Sequence, residues 1–184
     1  MAARAYWQGQ IRLALVSIPV ELYPATKSGA KISFQQVHEP IRDRLEELGL
    51  VSFAMLSGGK SVHVVVPLDP DHDWETHKDF ARHFAEALAL AEPDRFTATM
   101  SKARCKGKIF IDWLHNQRGA TAIVAYSARA REGAPVAVPI TWEELKKIEN
   151  AHPFSIGDAR KLLARAEDKK LSGWGFAAQG LPGV

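Results

Sequence analysis

Among the 184 residues there is a single cysteine, Cys105. A lone thiol excludes an internal disulfide and a cysteine-built zinc cage, and it fits a reducing cytoplasm. No apolar run approaches the roughly 20 residues that a membrane span requires, and the N-terminus has no signal-peptide core. The expectation is a cytoplasmic protein with no membrane partner. Excess charge is also scarce, at +3. So mild a balance permits contact with nucleic acid without demanding it, and function must be read from where the charges lie. What is present is ordinary for a globular chain, with 46% apolar and 24% charged residues. The length suits one domain with a real core and is too short for two large ones.

The periodicities describe an α/β chain. Residues 10–23 alternate loosely, and Pro19 restricts that strand to an edge or a bulge. Ile32 to Val37 reads as a second short strand. Ile41 to Leu50 reads as an amphipathic helix ended by Gly49. Val62 to Val66 is a continuous β-branched run, the pattern of a buried central strand. Asp73 caps a long helix whose apolar face is Trp74, Phe80, Phe84 and Leu88, and Pro93 stops it. Strands are expected at Phe96–Met100, Lys108–Asp112 and Thr121–Tyr126. A helix capped by Thr141 should cover Trp142–Glu149, and Ser155 with Asp158 forms a capping box opening another. The glycine-rich tail beyond Leu171 has no periodicity and is expected to be loose.

Three segments carry chemistry. The strand Lys108–Asp112 ends on a carboxylate, and the cationic stretch Ser127-Ala128-Arg129-Ala130-Arg131 follows the next strand. A carboxylate facing an arginine pair can hold a divalent metal against phosphates; equally, it can be an edge carboxylate paired with those arginines. Ser57-Gly58-Gly59-Lys60 precedes the buried strand. Its glycines let backbone N–H groups approach a phosphate, while the same residues also suit a plain hairpin turn with a solvated lysine. His63, alternating with valines, suits a satisfied core histidine. Lys102, Arg104, Lys106 and Lys108 alternate, as on a phosphate- or DNA-facing strand or a lysine-guarded edge. Asn116 and Arg118 lie in the loop after Asp112, where ordinary loop hydrogen bonding is the plain reading.

The segments Ser57–Leu68, Ile109–Gly119, Tyr126–Val136 and Pro139–Leu145 stand in one order. From about Ile41 to Asp168 that order resembles the C-terminal half of the primase-polymerase domain of bacterial DNA ligase D. The opening, Arg4–Ala25 and Lys31–His38, resembles the first strands of bacterial Ku. The resemblance implies a truncated primase-polymerase-like mixed sheet with packed helices, with a Ku-like strand pair added to one edge. It divides the chain into a Ku-like segment (1–40), a partial polymerase domain (41–170) and a loose tail (171–184).

By the same resemblance, Asp112 is a catalytic, metal-binding carboxylate. Ser57, Lys60, His63 and Arg129 contact the incoming nucleotide, and Arg104, Asn116, Arg118 and Arg131 are DNA-facing. The family's triphosphate arginine before Gly107 is replaced by Cys105. Met55, Leu56 and Ser61 stand where a lysine, a threonine and a glycine are usual. Two-metal phosphoryl transfer needs three carboxylates, two of them in an Asp-x-Asp motif at the end of an earlier strand. The stretch Phe34–Pro40 has no such pair, and the Asp69, Asp71 and Asp73 cluster lies where only a loop and helix cap are expected. The implied cofactor is Mn or Mg at an incomplete site. The implied partners are DNA ends and nucleoside triphosphates, with Ku or ligase D as further candidates. The implied function is end-joining repair of double-strand breaks with weak or absent nucleotidyl transfer. The alternatives are a non-catalytic module for DNA ends or repair partners, and a gene-fusion remnant.

Overall fold

The computed structural model describes residues 14–22, 34–101, 105 and 107–183, and only the backbone path over 14–22 and 34–37. The first strand, β1, covers Ala14–Leu22. Helix α1, Phe34–Glu47, follows. Its end is a Schellman motif: Leu50 N–H bonds Leu45 O, Gly49 N–H bonds Glu46 O, and Gly49 has φ 75°. Glycine tolerates that left-handed geometry without the Cβ penalty. Two strands come next, β2 (Phe53–Leu56) and β3 (Ser61–Leu68), the latter buried throughout. Helix α2, Trp74–Ala91, starts where the Asp73 carboxylate accepts from Thr76 N–H. The remaining strands are β4 (Phe96–Thr97), β5 (Ile109–Ile111) and β6 (Val138–Ile140). Helices α3 (Trp142–Leu145) and α4 (Ala159–Ala166) close the order, the latter entered through a 3-10 turn at Ile156–Asp158.

The strands form one mixed sheet in the order β4-β5-β1-β3-β2-β6. Only β4 and β5 pair in parallel. Side chains alternate across a sheet, so Val62, Val64, Val66 and Leu68 of β3 share one face. Val64, Val66 and Leu68 pack against Ile41, Leu45, Phe84 and Leu88 of the helices. Each such fully buried side chain contributes about 1.5–3 kcal/mol. A second cluster joins Leu56, Val62, Ile140 and Leu145 at the far edge. The opposite face carries Ser61 and His63, and it positions the site.

Several expectations are corrected. β1 is not an edge strand; it lies between β3 and β5. Pro19 is tolerated because the β5 ladder ends at the Val20–Ile111 pair, one residue short of it, leaving Pro19 paired only with His63 of β3. The boundary placed at residue 40 falls inside α1, and residues 34–37 are helical rather than extended. Pro40 sits within that helix because burial of His38, Ile41 and Leu45, all 0% exposed, outweighs the lost N–H. Thr121–Tyr126 is irregular, and Tyr126 has φ 64°. The buried stripe of α2 is His77, Ala81, Phe84, Ala85 and Leu88, with Trp74 turned outward at 54% exposure. α3 stops at Leu145, where Lys147 N–H turns back to Glu144 O.

The tail is not loose. Trp174 Nε1 donates to Ala54 O, the Gln179 amide donates to Val51 O and Pro67 O, and Leu181 joins the main core.

Candidate functional site

The loop between β2 and β3 is organised by one hydroxyl. Ser57 Oγ, fully buried, accepts from Gly59 N–H at 3.1 Å, from Ser61 N–H at 3.3 Å and from Ser61 Oγ at 3.1 Å. Ser57 therefore shapes the loop from inside. Ser61, standing where the resemblance expects glycine, has no positive φ and adds one of those bonds. Gly58 has φ 65°, and a Cβ there would meet the Val136 carbonyl carbon at 2.9 Å, so only glycine fits. Its N–H bonds Ala151 O, and the His152 ring nitrogen Nδ1 lies 2.9 Å from Gly59 O.

A bridged segment covers this loop. Tyr126 N–H bonds Ala137 O, Ala137 N–H bonds Ser127 O, and Arg129 N–H bonds Pro135 O. Those bonds aim Arg129 inward, where its Nε donates to Ser57 O at 2.7 Å. A Cβ placed on Gly59 would lie 3.5 Å from Arg131 Nη1 and 3.7 Å from Arg129 Cζ, so both guanidinium groups stand over the glycine. Lys60, next in sequence to Gly59, is exposed. Among the described residues, none of Lys60, Arg129 and Arg131 forms a salt bridge. Burial and the charge of Arg131 lower the Arg129 pKa from its ordinary value. Cations held together without neutralising carboxylates favour an anion, and guanidinium forks over open backbone suit phosphate.

His63 links this loop to the carboxylate. Burial first, then the charges of Arg129 and His115, push its pKa down to about 4. Asp112, 6% exposed, follows the end of β5. Its Oδ1 accepts from Leu114 N–H at 3.0 Å, and its Oδ2 lies 2.6 Å from His115 Nδ1. Among the described residues its close side-chain partner is thus His115, not the arginines that spacing suggested. His115 and His152 were not singled out in the sequence. Three-residue spacing from Asp112 was a signal for His115, whereas nothing local points from His152 to a glycine 93 residues earlier.

The DNA-facing candidates are placed variously. Arg118 is exposed. Asn116 is 4% exposed, and its Nδ2 donates to Trp113 O, so it serves its own loop. Arg104, with Lys102 and Lys106, lies outside the described residues. Lys108 Nζ donates to Pro93 O, and Cys105 Sγ donates to Thr99 O. Asp69 begins at the far end of β3 from Ser61, and Asp73 is spent as a helix cap. Six residues of strand, at about 3.3 Å each, separate Asp69 from His63.

Two-metal transfer would need three carboxylates here. Among the described side chains no group of three metal-ligating residues assembles, and Asp112 is a buried carboxylate at this face. This donor set does not fit two ions.

Comparisons with known proteins bear on the family and the fold. A family model described as "LigD, primase-polymerase domain" matches residues 20–170. The multifunctional non-homologous end joining protein LigD of Pseudomonas aeruginosa is 46% identical over 112 residues, covering 61% of this chain and 13% of that protein. The solved polymerase domain of Mycobacterium tuberculosis ligase D in complex with DNA superposes with a TM-score of 0.73 at 29% identity. That match covers 86% of this chain and 54% of the solved one, so the chain spans about half of it. The non-homologous end joining protein Ku of a Bradyrhizobium strain is 45% identical over 47 residues, 26% of this chain and 16% of that protein. Polymerase domains of this kind are generally metal-dependent. With the family match running over most of its length, the chain belongs to the LigD primase-polymerase domain family.

Proposed function

We propose that this chain acts in the repair of double-strand breaks by end joining, holding the phosphates of nucleoside triphosphates and of DNA ends, with weak or absent nucleotidyl transfer. The observation that carries this reading is the group of cations, Lys60, Arg129 and Arg131, around the backbone of Gly59 with no carboxylate neutralising them among the described residues. Arg129 and Lys60 take the triphosphate, His63 supports the loop from beneath, and Ser57 sets the loop's shape. Arg118 and Arg131 face the DNA backbone. The N-terminal segment is Ku-like in origin, which makes Ku and ligase D candidate partners. The second reading, a non-catalytic module for DNA ends, is favoured by the single described carboxylate of the site.

Gel shifts with a recessed DNA end, alongside primer extension on the same end, test both readings. End binding should weaken steeply with salt, because phosphate contacts release counterions. Extension with manganese should fall at least about a thousandfold below an intact domain. Failure to shift DNA at low salt would overturn the binding, and robust extension abolished by Asp112→Asn would overturn the loss of catalysis.

A further inference from the structure

The loop from Ser57 to Ser61 has five backbone N–H groups, and four of them are used within the fold. Ser57 N–H donates to Ser61 O, and Gly58 N–H donates to Ala151 O. Gly59 N–H and Ser61 N–H both donate to Ser57 Oγ. The glycine donors that the sequence offers to a phosphate are therefore spent. Lys60 N–H has no acceptor among the described residues, and Lys60 is exposed.

The direction of that N–H is set by His152. The Gly59–Lys60 peptide is trans, so Lys60 N–H points opposite to Gly59 O. Gly59 O lies 2.9 Å from His152 Nδ1. A carbonyl oxygen only accepts, so Nδ1 donates. The segment carrying the ring is itself anchored. His152 N–H donates to Asn150 Oδ1, and Ala151, 2% exposed, packs in the cluster with Leu56 and Val62. Ala151 and His152 thus hold two successive residues of the loop, Gly58 and Gly59, while Ser57 Oγ fixes it from inside. Gly59 has no Cβ to restrict the rotation of its peptide, so the histidine is what keeps the carbonyl in place.

We propose that His152 is a positioning residue of the phosphate site. Its bond to Gly59 O directs Lys60 N–H away from the ring as a fixed donor, which joins the guanidinium forks of Arg129 and Arg131 on the phosphates of a nucleoside triphosphate. A backbone N–H held ready for an anion adds a charge-assisted hydrogen bond without the cost of ordering a long side chain. The inference deepens the proposed function and rests on that reading of the cations around Gly59.

The test is titration of the isotope-labelled full chain with inorganic tripolyphosphate in chelator, read by calorimetry and by NMR at the Lys60 amide. The Lys60 amide proton should move downfield on binding, further than those of Gly58 and Gly59, which are already bonded. His152→Ala should weaken binding about tenfold, the worth of one charge-assisted hydrogen bond, and abolish the Lys60 shift. His152→Asn places an amide donor where Nδ1 stands and should restore both. Thermal melts of each variant separate lost positioning from lost folding. A Lys60 amide that stays put when the wild type binds would overturn the proposal, whether or not any variant folds. So would a folded His152→Ala that binds as wild type, or a folded His152→Asn no better than His152→Ala. In those outcomes weakened binding in Arg129→Ala would leave the phosphate site standing without this residue. No binding by the wild type would overturn both.

Discussion

Arg129 Nε donates to the carbonyl oxygen of Ser57 at 2.7 Å, across 72 residues of sequence. That bond fastens the bridged segment to the loop and leaves the outer guanidinium nitrogens for an anion. A lysine places all its donors on one compact ammonium and lacks the planar fork that lets separate guanidinium nitrogens do both. Arg129→Lys should therefore release the loop, costing about 1 kcal/mol of stability, and weaken triphosphate binding as well. Denaturant melts and a binding titration on one preparation check this. Unchanged affinity would show that the guanidinium is structural only.

His63 gives the stability a pH dependence with a defined window. Its folded pKa, about 4, lies below its unfolded value of 6.5. Between those values the unfolded chain carries a proton that the folded chain does not, so stability is full above pH 6.5 and declines as pH falls to 4. The loss is on the order of 3 kcal/mol, set mainly by burial. His63→Gln should flatten this part of the acid limb in urea melts. A slope identical to wild type would place the dependence elsewhere.

Two glycines with positive φ should respond differently to alanine. Gly58→Ala meets both the left-handed strain and the Val136 carbonyl carbon at 2.9 Å. We expect a loss of about 3 kcal/mol, and a Tm lower by roughly 10 °C. Gly119, φ 84°, has open space where a Cβ would go, so Gly119→Ala should cost only about 1 kcal/mol. Equal melting temperatures would contradict the packing of the loop on residues 136–137.

Removing residues 172–184 should destabilise the whole sheet, because Trp174, Gln179 and Leu181 all attach to it. Burial of Leu181 alone contributes about 1.5–3 kcal/mol. A shortened chain with an unchanged melt would mean that these contacts add nothing.

What could be read from the sequence was what local chemistry decides. The β-branched Val62–Val66 run, the Asp73 cap, the Thr141 cap and the Ser155–Asp158 box all depend on neighbours within four residues, and they stand as expected. The misreadings depend on distant partners. Pro19 argued for an edge, yet its strand is interior because the β5 pairing stops short of it. Ile32–Val37 read as a strand, yet residues 34–37 are helical and the turn that follows is held by His38 and Ile41, buried in the core. The tail has no periodicity because single side chains, not a face, fix it. At the site, the glycines and Arg129 were legible from spacing and resemblance. The tie of His152 to Gly59 exists only once the loop is folded.

Phosphate binding by the cations around Gly59 is the property on which the proposed function depends. Calorimetric titration of a nucleoside triphosphate into the full chain, in chelator and at two salt concentrations, measures this most directly. Weak binding is expected, falling as salt rises and reduced about 10- to 100-fold in Arg129→Ala, the range of one charge-assisted hydrogen-bonding group. No heat of binding at low salt, or equal affinity for wild type and Arg129→Ala, would contradict it.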